Sequence, residues 1–524
     1  MLAGCGGSGT DPSNSPAPPG TVFPEPPPGP DAFLTAADVQ NIVQAAAQAV
    51  NDDTAIIAVS DRQGDVLALF RKPNAPATTS LGANYTATVN ANDLAISLAH
   101  TAAFFSNDQA PLSSRTVRFI SGIHFPPGVM NQPNADLYGI ENTNRGCTLV
   151  PPANFLPGQS LPPSTALAGG PGLGITTGKA DVMDSQPFAV NPGGVPIFKA
   201  NSAGNVFAVG GVGVVASNLD EAEYIAFAGA FSAGFGVGTL PSPGVVIVGG
   251  IALPFVNNTT IPAGFTPGTM TGAFVLGPLA SPGPVPEEDL IAPAAGTVGG
   301  LTAAQVTEIL DAAETTANAT RGVIRLPLGA RAHMVIAVAD LDGTLIGLRR
   351  MRDATIFSVD VAASKARNMI YFNSAARVPA DMAPLPIGTA VTNRTISFGA
   401  MPLYPPGIDG SAVGPFFNLF LNDTANPCTQ GSQPAGANQS GIVFFPGSTG
   451  LYVGGKLMGG LGLSGDGVDQ DDFVTSSGAS GFINFVPTCS GPNCFLPPTS
   501  IRADQFIVNN VRLPFSKFPR NPTD

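Results

Sequence analysis

The chain has 524 residues, of which 44% are hydrophobic, so it can fill more than one hydrophobic core. Its 63 glycines and 52 prolines exceed ordinary usage, which indicates many turns and long loops around short regular elements. Only 11% of the residues are charged and the net charge is −13, so clustered basic residues are missing and no nucleic-acid partner is predicted. No run of about 18 or more apolar residues occurs, so no membrane-spanning helix is predicted either.

The first 30 residues predict attachment to a membrane. Leu2-Ala-Gly-Cys5 resembles the lipobox of bacterial lipoproteins, in which the cysteine is lipidated. A segment rich in Gly, Ser, Pro and Asn follows and is too poor in apolar residues to pack, which is typical of a flexible tether. We therefore expect an exported protein, lipid-anchored in the bacterial cell envelope and facing the periplasm or the outer surface. The alternative is a stray or buried cysteine. No basic or apolar signal segment precedes the lipobox, which we interpret as a misplaced start codon or a chain that is already trimmed.

Two segments far apart in the chain begin in the same way. Leu34–Ala46 and Leu301–Ala313 each start with a threonine cap, an acid or amide three residues later and a helical apolar stripe. Each predicted helix leads to a β-hairpin whose tight turn ends in glycine, at 61–64 and at 340–343. The same unit is therefore predicted twice.

The order of the later elements is also repeated. Each hairpin is followed by a second helix, a Pro-Pro-Gly loop, a long Pro/Gly/Asn-rich excursion, another hairpin, a helix with an acidic start and a strand ending in Leu-Pro-Phe. We predict a tether over 1–30, a first domain over 31–256, a linker over 257–300 and a second domain over 301–524.

The predicted fold class is α+β. Each domain is expected to hold a roughly five-stranded, mainly antiparallel sheet with helices packed on its faces, a profilin-like α/β sandwich. A doubly wound α/β fold is the weaker alternative, because tight turns join the strands directly where that fold needs crossover helices.

Cysteine usage fits an oxidising compartment. Besides Cys5, the sequence contains Cys147 and Cys428 at matching places in the two units, and Cys489 and Cys494 in a short turn-rich loop. Three pairings are possible, and we favour disulfides between Cys489 and Cys494 and between Cys147 and Cys428. No CxxC pair supports a metal or covalent-haem site.

The repeated unit resembles the GlcG/HbpS-like proteins, a haem-binding and haem-degrading family. In the second unit the resemblance rests on Asp340, Gly343, Arg352, Asp353, Ala354, Ser358, Lys365, Ala366, Gly459, Gly462, Ser464, Gly465, Gln470 and Asp471. In the first unit it rests on Asp61, Gly64, Gly193, Gly194, Val195, Pro196, Gly211, Gly213 and Ser217.

Neither unit carries the whole family pattern. The first unit lacks the Arg-x-Asp-Ala segment and has Leu98 where the second has Lys365, whereas the second has Phe445-Pro-Gly-Ser448 where the first keeps Gly-Gly-Val-Pro. The resemblance thus implies a pocket that is either lost or assembled between the units. It also implies self-association, of which a fused pair would be a covalent version.

Charged residues of the second unit are the first candidates for ligand binding. Arg350, Arg352 and Asp353 lie where a strand runs into a helix start, and Lys365 lies on that helix. Such a cluster could bind a haem propionate or another small anionic ligand. The alternative is an Arg–Asp ion pair with solvated neighbours. Family glycines Gly193 and Gly194 of the first unit complete the candidate ligand-binding set.

Haem iron would need an axial donor, and the three histidines His100, His124 and His333 are the candidates. None is shared by both units, and each also fits a structural or surface role. With so few histidines no metal site is predicted. No motif for a catalytic nucleophile, a Rossmann fold or a P-loop occurs.

Taken together, the sequence predicts an exported, lipid-anchored binding protein for haem or another small anionic ligand. The first alternative is a structural or assembly lipoprotein of the cell surface whose pocket has decayed. A haem-modifying enzyme is a weaker alternative, and no catalytic residue is predicted.

Overall fold

The structure is a computed structural model of the whole chain. It describes residues 32–80, 88–132, 136–143, 190–236, 246–426, 428–436, 438–481, 489 and 494–522. The predicted lipobox with Cys5, and Cys147, lie outside the described residues. In the described part of the chain, no helix is both long and apolar enough to cross a membrane.

In chain order the elements of the first half are α1 (Ala36–Ala49), β1 (Ile56–Asp61), β2 (Val66–Arg71), β3 (Thr78–Ser80), β4 (Thr88–Asn90), α2 (Ala91–Phe105), α3 (Ser114–Ile120), β5 (Gly194–Ala200), β6 (Val206–Val215), α4 (Leu219–Ser232), β7 (Ile247–Val248) and β8 (Ile251–Ala252). A 3₁₀ turn, Ile140–Asn142, lies between α3 and β5.

The elements that follow are β9 (Ala273–Leu276), β10 (Glu288–Ile291), α5 (Ala303–Ala319), β11 (Val335–Ala339), β12 (Leu345–Arg350), α6 (Phe357–Asn373), α7 (Asn393–Ala400), α8 (Phe417–Ala425), β13 (Ser448–Val453), β14 (Lys456–Ser464), α9 (Val468–Ser480), β15 (Ile507–Val508) and β16 (Val511–Arg512). Short 3₁₀ turns occur at Pro379–Met382, Thr499–Ile501 and Ala503–Gln505.

The helices that open each half begin as predicted. At α1 the Thr35 hydroxyl accepts from the backbone N–H of Asp38 at 3.1 Å, and the Asp38 carboxylate accepts from the backbone N–H of Thr35 at 2.8 Å. Thr302 and Gln305 form the same capping box at α5, with distances of 3.2 and 2.9 Å. These caps satisfy N–H groups that a helix start leaves unpaired. The apolar stripes behind them are buried.

The two halves contain sheets with the same strand order. The first sheet runs β5-β6-β1-β2-β9 and the second runs β13-β14-β11-β12-β10, with every neighbouring pair antiparallel. The registers correspond as well: Ala58 of β1 lies opposite Gly213, and Ala337 of β11 lies opposite Gly462. The predicted α+β class with two five-stranded antiparallel sheets is confirmed.

The fifth strand of each sheet does not come from the predicted segment. The runs ending in Leu-Pro-Phe form separate two-stranded hairpins, β7-β8 and β15-β16. Residues 257–300, predicted as a linker, supply the fifth strands instead, since β9 pairs with β2 and β10 pairs with β12. The prediction that the Leu-Pro-Phe runs complete the sheets was wrong. Proline lacks the N–H that a continuing ladder requires.

The Leu-Pro-Phe segments have another structural role, which is the same in both halves. In the first, the hydroxyls of Ser113 and Thr116, which cap α3, donate to the carbonyl oxygens of Phe255 and Pro254. In the second, the hydroxyls that cap α7 do the same, with Thr392 donating to the carbonyl of Phe515 at 2.5 Å and Thr395 to that of Pro514 at 2.7 Å. Each Leu-Pro-Phe segment is therefore hydrogen-bonded to the start of a helix, α3 in the first half and α7 in the second.

Helices cover both faces of each sheet. In the first half α2 packs on one face, while α1 and α4 pack together on the other; α6, with α5 and α9, repeats this arrangement in the second half. Glycines let α2 and α6 approach closely. A Cβ at Gly213 would lie 2.0 Å from the carbonyl oxygen of Ala95, and one at Gly462 would lie 2.2 Å from that of Ala362. The glycines in these strands therefore serve helix packing.

Replacing Gly462 by alanine is expected to lower the free energy of unfolding by about 1–3 kcal/mol, because the new methyl group would force α6 away from the sheet. Urea unfolding followed by circular dichroism measures this. In the control Gly436→Ala, the nearest atom is the flexible side-chain nitrogen of Gln439 at 3.4 Å, so the change should stay within about 0.5 kcal/mol. Equal losses in the two variants would contradict a packing role for Gly462.

Candidate functional site

The two halves meet around the end of α2. The rings of Phe105 and Phe357 stack with centroids 4.2 Å apart, and the backbone N–H of Ile356 donates to the carbonyl oxygen of Phe104 at 3.0 Å. Two residues after the end of α2, the Asn107 side chain donates to the carbonyl oxygen of Ile324 at 3.2 Å. The interface is therefore continuous with the hydrophobic core, and one cluster of buried residues includes members of both halves.

A buried network of charged groups lies beside these rings, with Asp353 at its centre. One Asp353 oxygen accepts from the guanidinium of Arg62 at 2.8 Å and the other from that of Arg325 at 2.6 Å. The backbone N–H of Asp108 also donates to both oxygens, at 3.0 and 3.1 Å. Arg62 and Asp108 belong to the first half, so the network joins the halves.

The two guanidinium groups are further tied within each half. Arg62 contacts the Asp108 carboxylate at 3.0 Å, and Arg325 pairs with Asp466. Arg325 also donates to the Gln109 side chain at 3.0 Å, which is another link between the halves. Burial alone would raise the pKa of Asp353, but the charges of Arg325 and Arg62 outweigh it and hold that pKa below its ordinary value. Asp353 is therefore an anion at neutral pH.

The local backbone suits Asp353 to this position. Its φ is +56°, in the left-handed region that aspartate and asparagine tolerate better than most residues. Its own N–H donates to the Glu287 carboxylate at 3.2 Å. Arg350, three residues before Asp353, is also buried. Its guanidinium donates twice to the carbonyl oxygen of Ala354, at 3.1 and 2.6 Å, and once to that of Pro286, at 3.2 Å.

The structure brings together only some of the predicted anion-binding residues. Asp353 and Arg350 lie in the network between the halves, and Arg352 is half-buried at a narrow polar cleft beside Arg62 and Arg350. Lys365 pairs with Asp471 at 3.0 Å instead. Of these charged side chains, the structure brings Arg350, Arg352 and Asp353 together, whereas Lys365 lies apart from them. Their roles in ligand binding stay predictions.

The family glycines of the first half are also engaged. The backbone N–H groups of Gly193 and Gly194 donate to the Ser114 hydroxyl at 3.1 and 2.8 Å. A Cβ at Gly194 would lie 2.3 Å from the carbonyl oxygen of Leu98. The structure therefore shows these glycines in close packing against α2 and α3, and their predicted contact with a ligand is untested.

The three histidines lie at separate places. His100 contacts the carbonyl oxygen of Gly64 through Nε2 at 2.9 Å and stacks on Phe104, and His124 contacts the Asp409 carboxylate at 2.7 Å. Burial and the nearby Arg325 lower the pKa of His333 to about 3, so its ring is neutral at ordinary pH. The structure does not bring the histidines together at one site.

Of the predicted disulfides, the bond between Cys489 and Cys494 is present. Cys428 is disulfide-bonded, while its predicted partner Cys147 lies outside the described residues. No group of three or more His, Cys, Asp or Glu residues that could hold a metal ion occurs in the described part of the chain.

A cavity of about 440 Å³ opens between the halves, next to the stacked rings of Phe105 and Phe357. Its volume lies within the range of small-molecule sites, roughly 300–1,000 Å³. The first half contributes a mainly apolar wall, made by Phe105, Leu112, Ile120, Leu137, Ile140, Val248 and Leu253, with one carboxylate, Asp136, which lies 3.6 Å from the guanidinium of Arg394. The second half contributes the more polar wall, where β14 ends and α9 begins.

The polar wall consists largely of residues on which the family resemblance rests. Ser464, Gly465, Gln470 and Asp471 line it, together with Gly467, Val468 and Asp469. The sequence identified this segment but assigned it no role. Residues Lys517–Arg520 close the cavity at the side facing solvent, where Lys517 and Arg520 are exposed. The sequence analysis missed their part, because Lys517 and Arg520 lie about 50 residues from the start of α9 and only the fold brings them to it.

Lys365 and Asp471 form a buried ion pair at this wall. The Lys365 ammonium donates to the carbonyl oxygen of Leu463 at 2.6 Å and to Asp471 Oδ2 at 3.0 Å, and it lies 4.8 Å from the centre of the Phe445 ring. Burial lowers the pKa of Lys365 and raises that of Asp471 to about 7, although the attraction of Lys365 opposes the latter shift. Asp471 Oδ1 has no hydrogen-bond partner in the described part of the structure.

The first half has a smaller cavity, of about 250 Å³, at the matching junction of β6 and α4. The registers of the two sheets place Ala222 where the second half has Asp471, and the packing against the strand glycines places Leu98 where it has Lys365. Both members of the ion pair are therefore replaced by apolar residues, so the two cavities differ in polarity.

Comparison with known proteins identifies one family. Residues 301–480 match the family described as "Haem degrading protein HbpS-like", which confirms the predicted resemblance for the second half. A search of curated proteins found no match.

Two solved structures resemble part of the chain. One is the Klebsiella pneumoniae protein ORFY, at 17% identity and a TM-score of 0.23, covering 35% of this chain and 90% of that one. The other is PduOC in a complex with heme, at 21% identity and a TM-score of 0.22, covering 34% of this chain and 92% of that one. Likenesses at these scores decide nothing about the ligand.

Replacing Asp353 by asparagine is expected to lower the free energy of unfolding by about 3 kcal/mol, because Arg62 and Arg325 would lose the buried anion that neutralises them. Asparagine keeps the size of the side chain and tolerates the positive φ. Urea unfolding at pH 7 measures the loss.

The matched control is Asp311→Asn. Asp311 also pairs with an arginine, Arg349, at 2.8 Å, but its side chain is 59% exposed. Exposed pairs contribute little, so the control should lose less than about 1 kcal/mol. If Asp353→Asn loses no more than the control, the buried network does not hold the halves together.

Proposed function

We propose that the cavity between the halves binds a haem-sized, largely apolar molecule that carries carboxylates, with haem as the first candidate. The observation that carries this proposal is the cavity itself. It has one apolar wall, a second wall built from residues of the HbpS-like match, and two exposed cations, Lys517 and Arg520, at its solvent side.

The lining favours binding of a flat apolar body with anionic groups at its edge. Burying such a body against Phe105, Phe357 and Phe445 removes apolar surface from water, at about 25 cal/mol for each Å². The guanidinium of Arg520 can hold a carboxylate through two parallel hydrogen bonds, and Lys517 can add a point charge. Lys517 now lies 3.0 Å from Asp469, so a ligand carboxylate would compete with that ion pair.

The residues present fit only part of haem. The apolar walls and the two cations suit the macrocycle and its propionates. However, none of the described residues that line the cavity is a histidine, methionine, cysteine or tyrosine, the usual axial donors to haem iron. We therefore propose binding only and derive no reaction through the iron.

One alternative is a structural or assembly role with a decayed pocket. The observation that favours it is the internal use of the predicted binding charges, since Arg350, Asp353 and Lys365 all contact groups of the protein itself. A protein of this kind would self-associate and bind no haem.

Titration with haemin tests the proposed binding through the Soret band. We expect a shifted, saturable band for the wild-type protein and a loss of affinity of at least about tenfold for Val468→Trp, whose indole would fill the cavity beside α9. Ile507→Trp is the control, because Ile507 is 60% exposed and does not line the cavity, and it should bind as the wild type does.

Two results would contradict the proposal. One is the absence of any shift in the wild-type protein, which together with concentration-dependent association would favour the structural role. The other is unchanged affinity in Val468→Trp, which would show that haemin binds at another place.

We also propose that the protein is exported and anchored in the cell envelope through a lipid on Cys5. The support is the sequence Leu2-Ala-Gly-Cys5 and the tether that follows it. The disulfide between Cys489 and Cys494 is consistent with an oxidising compartment.

Cell fractionation tests the anchor. The wild-type protein should be found in the membrane fraction and be extracted by detergent, since a lipidated cysteine holds the chain at the bilayer. Cys5→Ser should move it to the soluble fraction, whereas Ser8→Ala in the same tether should leave it with the membranes. Membrane association of Cys5→Ser would exclude the proposed anchor.

A further inference from the structure

We infer that Asp469 sets the carboxylate selectivity of the cavity: a ligand carboxylate displaces Asp469 from Lys517, and Arg394 keeps the displaced Asp469 neutralised. This inference rests on the proposed function, because it concerns how the same cavity selects its ligand. It follows from contacts at the solvent side of the cavity, where Asp469 and Lys517 both line the wall.

Asp469 is shared by two cations that differ in exposure. Its Oδ2 lies 3.0 Å from the Lys517 ammonium, and its Oδ1 accepts from the Arg394 guanidinium at 2.7 Å. The Lys517 side chain is 61% exposed, whereas that of Arg394 is only 6% exposed. Exposed ion pairs contribute little to stability, so the contact with Lys517 is the one that a ligand can replace at low cost.

Arg394 is held in place by other carboxylates. Its guanidinium also pairs with the buried Asp472 and lies 3.6 Å from Asp136 on the wall of the first half. The backbone N–H of Lys517 donates to Asp472 at 3.0 Å, so the Lys517 side chain can change its partner while its backbone stays in place. After the exchange Asp469 still accepts from Arg394, so it keeps a charged partner.

The first half contains the structural part of this arrangement. Arg115 and Glu223 pair through two contacts, at 2.5 and 3.0 Å, as Arg394 and Asp472 pair in the second half. The backbone N–H of Asn257, two residues after the Leu-Pro-Phe run, donates to Glu223 at 3.2 Å. This ion pair and this backbone contact are therefore common to both halves and belong to the shared fold.

The ammonium group is what the second half adds. The positions of Lys517 and Asp469 are taken in the first half by Asn257, which is neutral, and by Asp220, the second residue of α4. The Asp220 carboxylate accepts from the neutral amide of Asn258 at 3.0 Å. The fold therefore does not require a cation beside this helix carboxylate. Its presence at the larger cavity points to a role in binding.

The exchange distinguishes ligands by their edge groups. A ligand carboxylate gains the ammonium of Lys517 and can also reach the exposed guanidinium of Arg520. An ester at the same place carries no charge and cannot displace Asp469, so such a ligand gains only from burial of its apolar body. The cavity should therefore prefer the free acid to its ester.

The experiment compares haemin with haemin dimethyl ester, which has the same macrocycle without the two charges. Absorbance titrations of the full chain at pH 7 give both affinities. We expect the wild-type protein to bind haemin at least about threefold more tightly than the ester, because only haemin gains the two cations.

Asp469→Asn is the test variant. It removes the internal competitor for Lys517, so the affinity for haemin should rise about threefold, while that for the ester should change by less than about 1.5-fold. Lys517→Gln, at an exposed position, should lower the affinity for haemin about threefold and leave the ester unchanged. In the double variant Lys517→Gln with Asp469→Asn, the gain caused by Asp469→Asn should disappear.

Asp504→Asn is the matched control. Asp504 pairs with Arg502 at 2.6 Å, its side chain is 27% exposed, and it does not line the cavity. This variant should bind both pigments as the wild type does. A gain in haemin affinity equal to that of Asp469→Asn would show an effect of net charge alone and would overturn the exchange.

The remaining outcomes separate the two proposals. Equal affinities of haemin and its ester in the wild-type protein, or no gain for haemin in Asp469→Asn, overturn the exchange but leave the proposed function standing. A gain that persists in the double variant overturns it too, because Asp469 would then act without Lys517. If neither pigment binds the wild-type protein, the proposed function fails and the exchange fails with it.

Discussion

The attraction between one buried carboxylate and two guanidinium groups decides how the halves of this protein are arranged. Asp353 of the second half is shared by Arg325 of the same half and Arg62 of the first. Burying such charges is costly unless each is neutralised and hydrogen-bonded, so the network tolerates little displacement. The halves are thereby held at a fixed separation, with Phe105 stacked on Phe357 beside the charges.

Because the halves are held at a fixed separation, a cavity remains open between them. Its apolar wall comes from the first half, and its polar wall comes from the start of α9 in the second. Neither half would enclose the space alone. The incomplete motifs implied a family pocket that is either lost or assembled between the units, and that choice stays a prediction. Lys365 and Asp471 then give the second wall a polarity that the corresponding place in the first half lacks.

Much of the fold could be predicted because its signals are local. A few neighbouring residues are enough to predict the helix caps at Thr35 and Thr302. The same holds for the tight turns after β1 and β11. The predicted Pro-Pro-Gly loops instead begin with helices α3 and α7, whose starts are marked in the sequence by the capping boxes of Ser113 and Thr392. Strands β9 and β10 were missed because each has only four residues and is fixed by its pairing partner, not by its own pattern.

The candidate site was less predictable, because its contacts join distant parts of the chain. The sequence singled out Asp353 and Lys365 through the family resemblance, but Arg62 is 291 residues from Asp353. Asp471 was recognised only as part of a motif, since its unpaired oxygen depends on burial and on where Lys365 lies. One sequence without coordinates cannot show which of several charges will be buried together.

The strands supplied by residues 257–300 have a consequence for any attempt to study the halves separately. A fragment of the first half that ends before Ala273 would lack β9, so the apolar strand β2 would become an exposed edge strand. A fragment of the second half that starts after Ile291 would lack β10 and would expose β12 in the same way. Exposed edge strands pair with strands of other molecules, which leads to aggregation. Fragments with complete sheets require the cut to fall between Leu276 and Glu288.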